Sequence, residues 1–304
     1  MFRVAHLSDL HATPARGAFP ALLGKRFLGW LSWRVRRRHA HLPQVLDALL
    51  ADLHREAPDQ VVVTGDLTNI AGEEEFPAAR AWLERIGPPE RVSLVPGNHD
   101  AYVRVAEEKG VGLWRPWIES DAPAGAGARG AAAPAYPTLR LRGPVAVVGV
   151  CSALPTPIGL AQGEVGAAQR ERLEALLAEL RGSGLFRLVL IHHPPERGVV
   201  ARRRSLRDAE ALCGVFARAG AELVLHGHTH RTRVGALAGP DGPIPVVSAR
   251  SASDVGSRPE KRSQYHVYEI EPAASEARRF RIRMRVRGYD PATGGFTAAG
   301  ERSL

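Results

Sequence analysis

Short apolar runs of strand type recur along the chain, separated by stretches with apolar residues at helical spacing. Phe2 to Leu7, Val61 to Thr64, Arg91 to Val95, Leu188 to Ile191 and Leu223 to His226 are the strand-like runs. Leu42 to Glu56 places Val45, Leu46, Leu49 and Leu53 on one helical face, and Glu73 to Ile86 reads as a second helix. Gln169 to Arg181 repeats the pattern with Leu173, Leu176, Leu177 and Leu180, and Ser205 to Ala219 follows it. Residues 101 to 121 are expected to be helical around Trp114 and Trp117. Right-handed strand–helix–strand units of this kind predict a largely parallel sheet at first. Thr138 to Arg142 and Val145 to Val150 predict a hairpin across Gly143-Pro144.

After His230 the pattern becomes strand-rich, with Val246-Val247, Tyr265 to Ile270 and Arg279 to Arg287. The last alternates strictly, arginines at odd positions against Phe280, Ile282, Met284 and Val286. Its cationic face reads as a solvated surface, because no aromatic residues interleave to stack nucleic-acid bases. The expected fold is α/β: two packed mixed β-sheets flanked by helices, with both termini in the sheets. Residues 1–304 are expected to form one domain, because the chemistry described below runs through most of the chain.

Two segments depart from this rhythm. Residues 122–135 are nearly all Ala, Gly and Pro and predict a flexible surface loop. Residues 12–42 form a basic amphipathic insertion, with Phe19 to Trp33 rich in leucine and aromatics and Arg34-Val35-Arg36-Arg37-Arg38-His39 behind. On a helical wheel Leu23, Phe27, Trp30 and Leu31 share one side, and Lys25, Gly29, Ser32 and Arg36 lie opposite. Two readings stand: a helix packed on the core with a solvated arginine end, or a contact with an anionic membrane surface through residues 19–38.

Composition changes this picture little. With 44% hydrophobic and 24% charged residues the chain is of globular type. The formal charge of +9 favours an anionic partner or surface. Two cysteines, Cys151 and Cys213, make no disulfide framework and suit a reducing cytoplasm. The opening strand leaves no room for an export signal, and no apolar run is long enough to span a bilayer.

The ends of the strand-like runs carry the chemistry. Asp9 and His11 follow the first run, and Gly65-Asp66 the second. Gly97-Asn98-His99-Asp100 follow the third, His192-His193 the fourth and Gly227-His228-Thr229-His230 the fifth. Open α/β sheets bind ligands at the C-terminal ends of their strands. Imidazole, carboxylate and amide oxygen suit Mn, Fe, Zn or Co, and no thiolate set for structural zinc is present.

This ordered set resembles the calcineurin-like metallophosphoesterase superfamily, whose signature runs D-x-H, G-D, G-N-H-D/E, H, G-H-x-H. The match spans residues 9 to 230. The resemblance implies two metal ions, Mn, Fe or Zn, held by seven side chains. Asp9, His11 and His230 would hold one; Asn98, His192 and His228 the other; Asp66 would bridge both. It also implies a phosphohydrolase in which a metal-bridging hydroxide attacks a phosphodiester or pyrophosphate. His99 would stabilise charge or protonate the leaving oxygen, and Asp100 would orient it. His193 is assigned either a similar supporting task or a structural one. The insertion suggests a lipid-linked substrate and a cytoplasmic enzyme on the inner face of the membrane. The alternatives are a soluble cyclic-nucleotide or glycerophosphodiester phosphodiesterase, and a non-catalytic scaffold on the same fold. No dedicated nucleic-acid module is visible.

Overall fold

The computed structural model describes residues 1–15, 24–121, 135–256, 258–273 and 279–304. The start of the insertion, with Phe19 and Leu23, and the loop at 122–134 lie outside the described residues. Twelve strands form two six-stranded sheets. The first runs β12 (Gly295–Ser303), β11 (Phe280–Asp290), β10 (Gln264–Pro272), β1 (Phe2–Leu7), β2 (Gln60–Val63), β3 (Val92–Leu94). The second runs β4 (Thr138–Arg142), β5 (Val145–Gly149), β6 (Phe186–Leu190), β7 (Leu223–His226), β9 (Ile244–Ser248), β8 (Arg233–Leu237). β1, β2 and β3 are parallel, as are β5, β6, β7 and β9; the outer strands pair antiparallel.

Period-two alternation explains the layers. Val4 and Val62 point between the sheets, where they meet Val147, Leu188 and Leu225. Their neighbours Ala5, Val61 and Val63 point outward, onto Leu46, Leu49, Phe76 and Leu83 of the Pro43–Glu56 and Glu75–Ile86 helices. The Ala167–Arg181 and Ala209–Ala219 helices cover the second sheet in the same way. Both faces of the parallel strands are therefore buried, which is why they read as unbroken apolar runs. Helices fill the faces, so polar groups are left to the strand ends.

Three expectations change. Residues 101–121 do not form one helix. They break into two short 3₁₀ turns, Glu107–Lys109 and Val111–Trp114, and a single α-turn, Arg115–Ile118. Gly110, Gly112 and Pro116 interrupt any longer run. β8 and β12 went unpredicted because their sequences, RVGAL and GFTAAGERS, lack a clear apolar alternation. Three of the four arginines of β11 are ion-paired and not simply solvated. Arg283 meets Glu301, Arg285 meets Glu56 and Glu269, and Arg287 grips Asp52. Its apolar face, Ile282, Met284 and Val286, is buried between the sheets as the alternation requires.

Asp52 ties the Pro43–Glu56 helix to this sheet. Its buried carboxylate accepts from Arg287 at 2.8 and 2.6 Å, from the Tyr265 hydroxyl at 2.7 Å and from Arg55 at 2.8 Å. Asp52→Asn leaves the largely buried Arg287 guanidinium with only Glu56, at 3.6 Å, as a counter-charge. It should lower unfolding stability by about 3 kcal/mol, measured by urea denaturation. A loss below about 0.5 kcal/mol would mean that the pair behaves as a surface ion pair.

Candidate metal centre

Strands β1, β2, β3, β6 and β7 each release the chain at one edge, and the polar residues that follow converge there. Three groups of donor atoms lie within 4.8 Å of one another: Asp9, His11 and His230; His11, Asp66 and His99; and Asp66, His192 and His228. Asn98 joins the last, its Oδ1 standing 3.1 Å from His192 Nε2 and 2.7 Å from His228 Nδ1. All seven expected ligands therefore reach a single cluster.

Backbone carbonyls fix how three histidine rings face inward. His11 Nδ1 lies 2.9 Å from Thr68 O, His192 Nδ1 2.6 Å from Thr64 O, and His228 Nε2 2.9 Å from Arg204 O. A carbonyl only accepts, so each contacting nitrogen carries the proton and the other nitrogen turns a lone pair to the centre. His11 Nε2 has no hydrogen-bond partner, and neither has Asp9 Oδ1. Asp9 Oδ2 is occupied, by Ser8 Oγ at 2.7 Å and the His228 amide at 3.1 Å. Asp9 Oδ1 thus faces His230 Nε2 at 3.2 Å and His11 Nε2 at 4.0 Å. Lone pairs converging on lone pairs in a buried site repel unless cations lie among them, so this donor set fits metal ions.

Asp66 belongs to two of these donor groups. Its Oδ1 accepts from the His99 amide at 2.7 Å. Only Oδ2 remains free, 3.8 Å from His11 Nε2 and 3.4 Å from His192 Nε2. One oxygen, not two, is therefore placed between the two ligand groups. Burial opposes a charge on His192, but Asp66 beside it outweighs this and pushes its pKa up to about 9.

The backbone is strained where these ligands sit. Of seven described non-glycine residues with left-handed φ, five are Asp9, His11, Asp66, His228 and His230. Such strain persists only where surrounding contacts over-determine it. Here the Asp9 amide donates to Gly65 O at 2.9 Å and the His11 amide to Asp66 O at 3.1 Å. Gly97 and Gly227 allow the close approach. A Cβ on Gly97 would collide with the Asp66 carboxylate, and one on Gly227 with the Ser8 hydroxyl.

Asp100 does not orient His99. Its carboxylate accepts the amides of Gly97, Asp66, Leu67 and Thr68, each at 2.9 Å, and the Thr68 hydroxyl at 3.1 Å. A carboxylate next to a histidine in sequence has been turned by the chain to clamp the Asp66 loop. His99 instead packs its Nδ1 2.5 Å from Asn69 O, stacks beside Tyr102 and meets Arg37. Arg37 Nη1 lies 3.1 and 3.0 Å from the two ring nitrogens. A donor equidistant from both is aligned with neither lone pair, so the guanidinium rests against the ring. Burial, with Arg37 adding to it, lowers the His99 pKa to about 3 and keeps the ring neutral. Arg37 is the residue whose place sequence reading missed: it belonged to an arginine run read either as a solvated helix end or as part of a membrane contact.

Other histidines frame the cluster. His41 is buried with its Nδ1 2.9 Å from Ser253 Oγ, its ring edge-on to His11 and His230. His193 Nδ1 lies 2.8 Å from Ser152 Oγ, and its ring tilts against His228 at 4.6 Å. His6 and His226 are buried on Thr64 Oγ1 and Gly227 O. Cys151 and Cys213 are both free, and burial raises both thiols, Cys151 to about 11, which disfavours the thiolate on each.

A family model described as calcineurin-like phosphoesterase matches residues 2–232. The class this defines is that of metal-dependent phosphoester hydrolases. The chain belongs to the calcineurin-like phosphoesterase family. Among solved structures it is similar to a dimetal phosphatase from Danio rerio, at 14% identity and TM-score 0.56, over 100% of this chain and 98% of that one. It is similar also to a purple acid phosphatase from yellow lupin (Lupinus luteus) seeds, at 13% identity and TM-score 0.55, over 99% of this chain and 53% of that one. At these identities the likeness is one of fold. Curated proteins give no match.

Asp66→Asn removes the anion from the shared position. Metal content of the purified variant should fall below two ions per chain, and turnover should drop by more than the ten- to hundredfold typical of a supporting residue. Parent-like metal content and rate together would exclude Asp66 as the bridge.

Proposed function

We propose that this enzyme hydrolyses a phosphodiester or pyrophosphate whose substrate carries an apolar chain and is met at an anionic membrane surface. The observation that carries this reading is the orientation of the Lys25–Ser32 helix. Two residues of its polar side face inward: Gly29 lies against Ile70 and Tyr102, and Lys25 Nζ donates to Thr156 O at 2.8 Å. Trp30 and Trp33 pack on Ala15 and Ile70 beneath it. Of the expected apolar face Trp30 is thus partly buried, but Phe27 and Leu31 are turned to solvent, 41% and 43% exposed, beside Leu28 at 48% and Val35 at 61%. Simple core packing would bury these side chains. Ile158, two residues from the Thr156 that Lys25 holds, is also exposed, and Arg34 and Arg38 are exposed cations next to these apolar residues in sequence. Among the described residues no helix is long and apolar enough to cross a membrane. The contact we propose is peripheral, on the cytoplasmic face, each outward cation contributing about 1 kcal/mol near anionic lipid.

In this reading Asp9, His11 and His230 would hold one metal ion, Asn98, His192 and His228 the other, and Asp66 Oδ2 would be shared. Bound ions of this kind supply Lewis acidity toward phosphoryl oxygens and acidify coordinated water. The chain's own residues do the rest. Asp100 holds the Asp66 loop rigid. Arg37 brings a fixed positive charge to the edge of the ligand cluster, where phosphoryl oxygens gain charge during cleavage. His99, a neutral imidazole, holds that guanidinium in place and so acts on charge rather than as a proton donor.

Arg37→Ala and His99→Ala should each slow hydrolysis about ten- to a hundredfold, by similar factors for good and poor leaving groups. A His99→Ala loss that grows steeply with leaving-group pKa would instead identify His99 as the general acid. The membrane reading is tested by co-sedimentation with anionic liposomes at low and high salt. The parent should pellet at low salt, and a Phe27→Ser/Leu31→Ser variant should stay in the supernatant with unchanged activity on bis-p-nitrophenyl phosphate. A parent that never pellets, and that turns over a cyclic nucleotide rapidly, is a soluble diesterase.

A further inference from the structure

The metal cluster does not end at His230. A cavity of about 580 Å³ opens beside that residue, bounded by the chain that passes from β9 back to β10. This segment leaves the second sheet and re-enters the first, so it must cross the edge where the ligands converge. It brings Arg250, Arg258 and Lys261 to the cavity wall, and Arg231 joins them from the turn after His230. The acids on the wall are Asp254 and Glu260. Asp254 Oδ1 is already held by the Gly256 amide at 2.8 Å.

Several arginines elsewhere on this protein are neutralised by a carboxylate. Arg218 pairs with Glu174, Arg233 with Glu196, Arg142 with Asp121 and Arg283 with Glu301. Arg231, Arg250, Arg258 and Lys261 make no ion pair among the described residues. Arg250 is anchored through Nη1 to Pro259 O at 2.8 Å, while its buried Nε has no hydrogen-bond partner. An unpaired buried donor is costly unless something supplies an acceptor. A cationic hollow sharing a wall with a phosphoryl site has the chemistry to receive another phosphate.

We infer that this cavity is the subsite for a second phosphate group of the substrate, with Arg250, Arg258 and Lys261 as its cations. The inference rests on the phosphohydrolase reading above and narrows it. A substrate whose phosphorus lies at the ligand cluster extends over His230, and its second phosphate enters the hollow. A pyrophosphate, or a diester bearing a further phosphate, satisfies both places. A cyclic nucleotide with one phosphate fills only the first.

The test compares the metal-loaded parent with Arg258→Gln/Lys261→Gln on two compounds. Bis-p-nitrophenyl phosphate has a single anionic group, and UDP-glucose has two. The variant should raise KM for UDP-glucose about tenfold, the loss expected of charge-assisted hydrogen bonds, and leave KM for the nitrophenyl diester within about twofold. If UDP-glucose is bound but not cleaved, its inhibition constant against the diester should show the same tenfold loss. Equal changes for both compounds, or none for either, would overturn the subsite. A parent inactive on the nitrophenyl diester would count against the phosphohydrolase reading itself. Calorimetric titration of UDP-glucose then judges the subsite separately: weaker binding to the variant supports it, and identical binding rejects it.

Discussion

A cluster of lone pairs is forced together in the interior of this protein, and much of the surrounding structure exists to hold it. Asp9 Oδ1, Asp66 Oδ2, His11 Nε2 and His192 Nε2 crowd one another because their other polar atoms are fixed elsewhere. Thr64, Thr68 and Arg204 contribute carbonyls that set the imidazole tautomers. Asp100 contributes a buried acceptor for three amides of the loop that carries Asp66 and for the Gly97 amide of its own loop. The five left-handed ligands follow from the same constraint: a strand must turn sharply to aim its next side chain at a shared point. Such an arrangement is stable only with positive charge at its middle.

The same edge is where the chain differs from a bare scaffold. The insertion leaves the sheet directly after His11 and returns by main-chain bonds, Leu42 N to Ser253 O and Val255 N to Ala40 O. It is therefore strapped to the segment that lines the cationic cavity. Arg37 lies against His99, Phe27 and Leu31 face outward, and Arg258 and Lys261 lie past His230. The insertion thus links the outward-facing apolar residues to the ligand cluster through Arg37 and to the cationic hollow through the 249–262 segment. A substrate with an acyl chain and more than one phosphate would meet each.

Much of this was legible in the sequence. The layered fold could be read because both faces of the parallel strands are buried, so Val61 to Val63 and Leu188 to Ile191 appear as continuous apolar runs. The seven ligand candidates could be read because each follows such a run. What could not be read was direction. Asp100 and His99 are neighbours in the chain, yet the turn after Gly97 sends one inward to clamp backbone amides and the other outward to Arg37. Helical spacing grouped Phe27 with Leu31 correctly but could not say which side of the helix meets the protein. Gly29 decides that, because only a residue without a side chain fits against Ile70 and Tyr102. Arg37 looked like its neighbours in an arginine run, and no periodicity marks the π-helical turn, Trp33–Arg37, that points it inward. β12 escaped because its pairing with β11 is main-chain work that glycine and polar residues do as well as valine.

The account depends most on the claim that one oxygen of Asp66 stands between two metal ions. Anomalous diffraction from crystals of the manganese-loaded protein tests it directly. Two peaks are predicted, one among Asp9, His11 and His230 and the other among Asn98, His192 and His228. Asp66 Oδ2 should be bonded to both ions while Oδ1 stays on the His99 amide. A single peak, a peak ligated by the His99 ring, or an Asp66 carboxylate using one oxygen for each ion would contradict it.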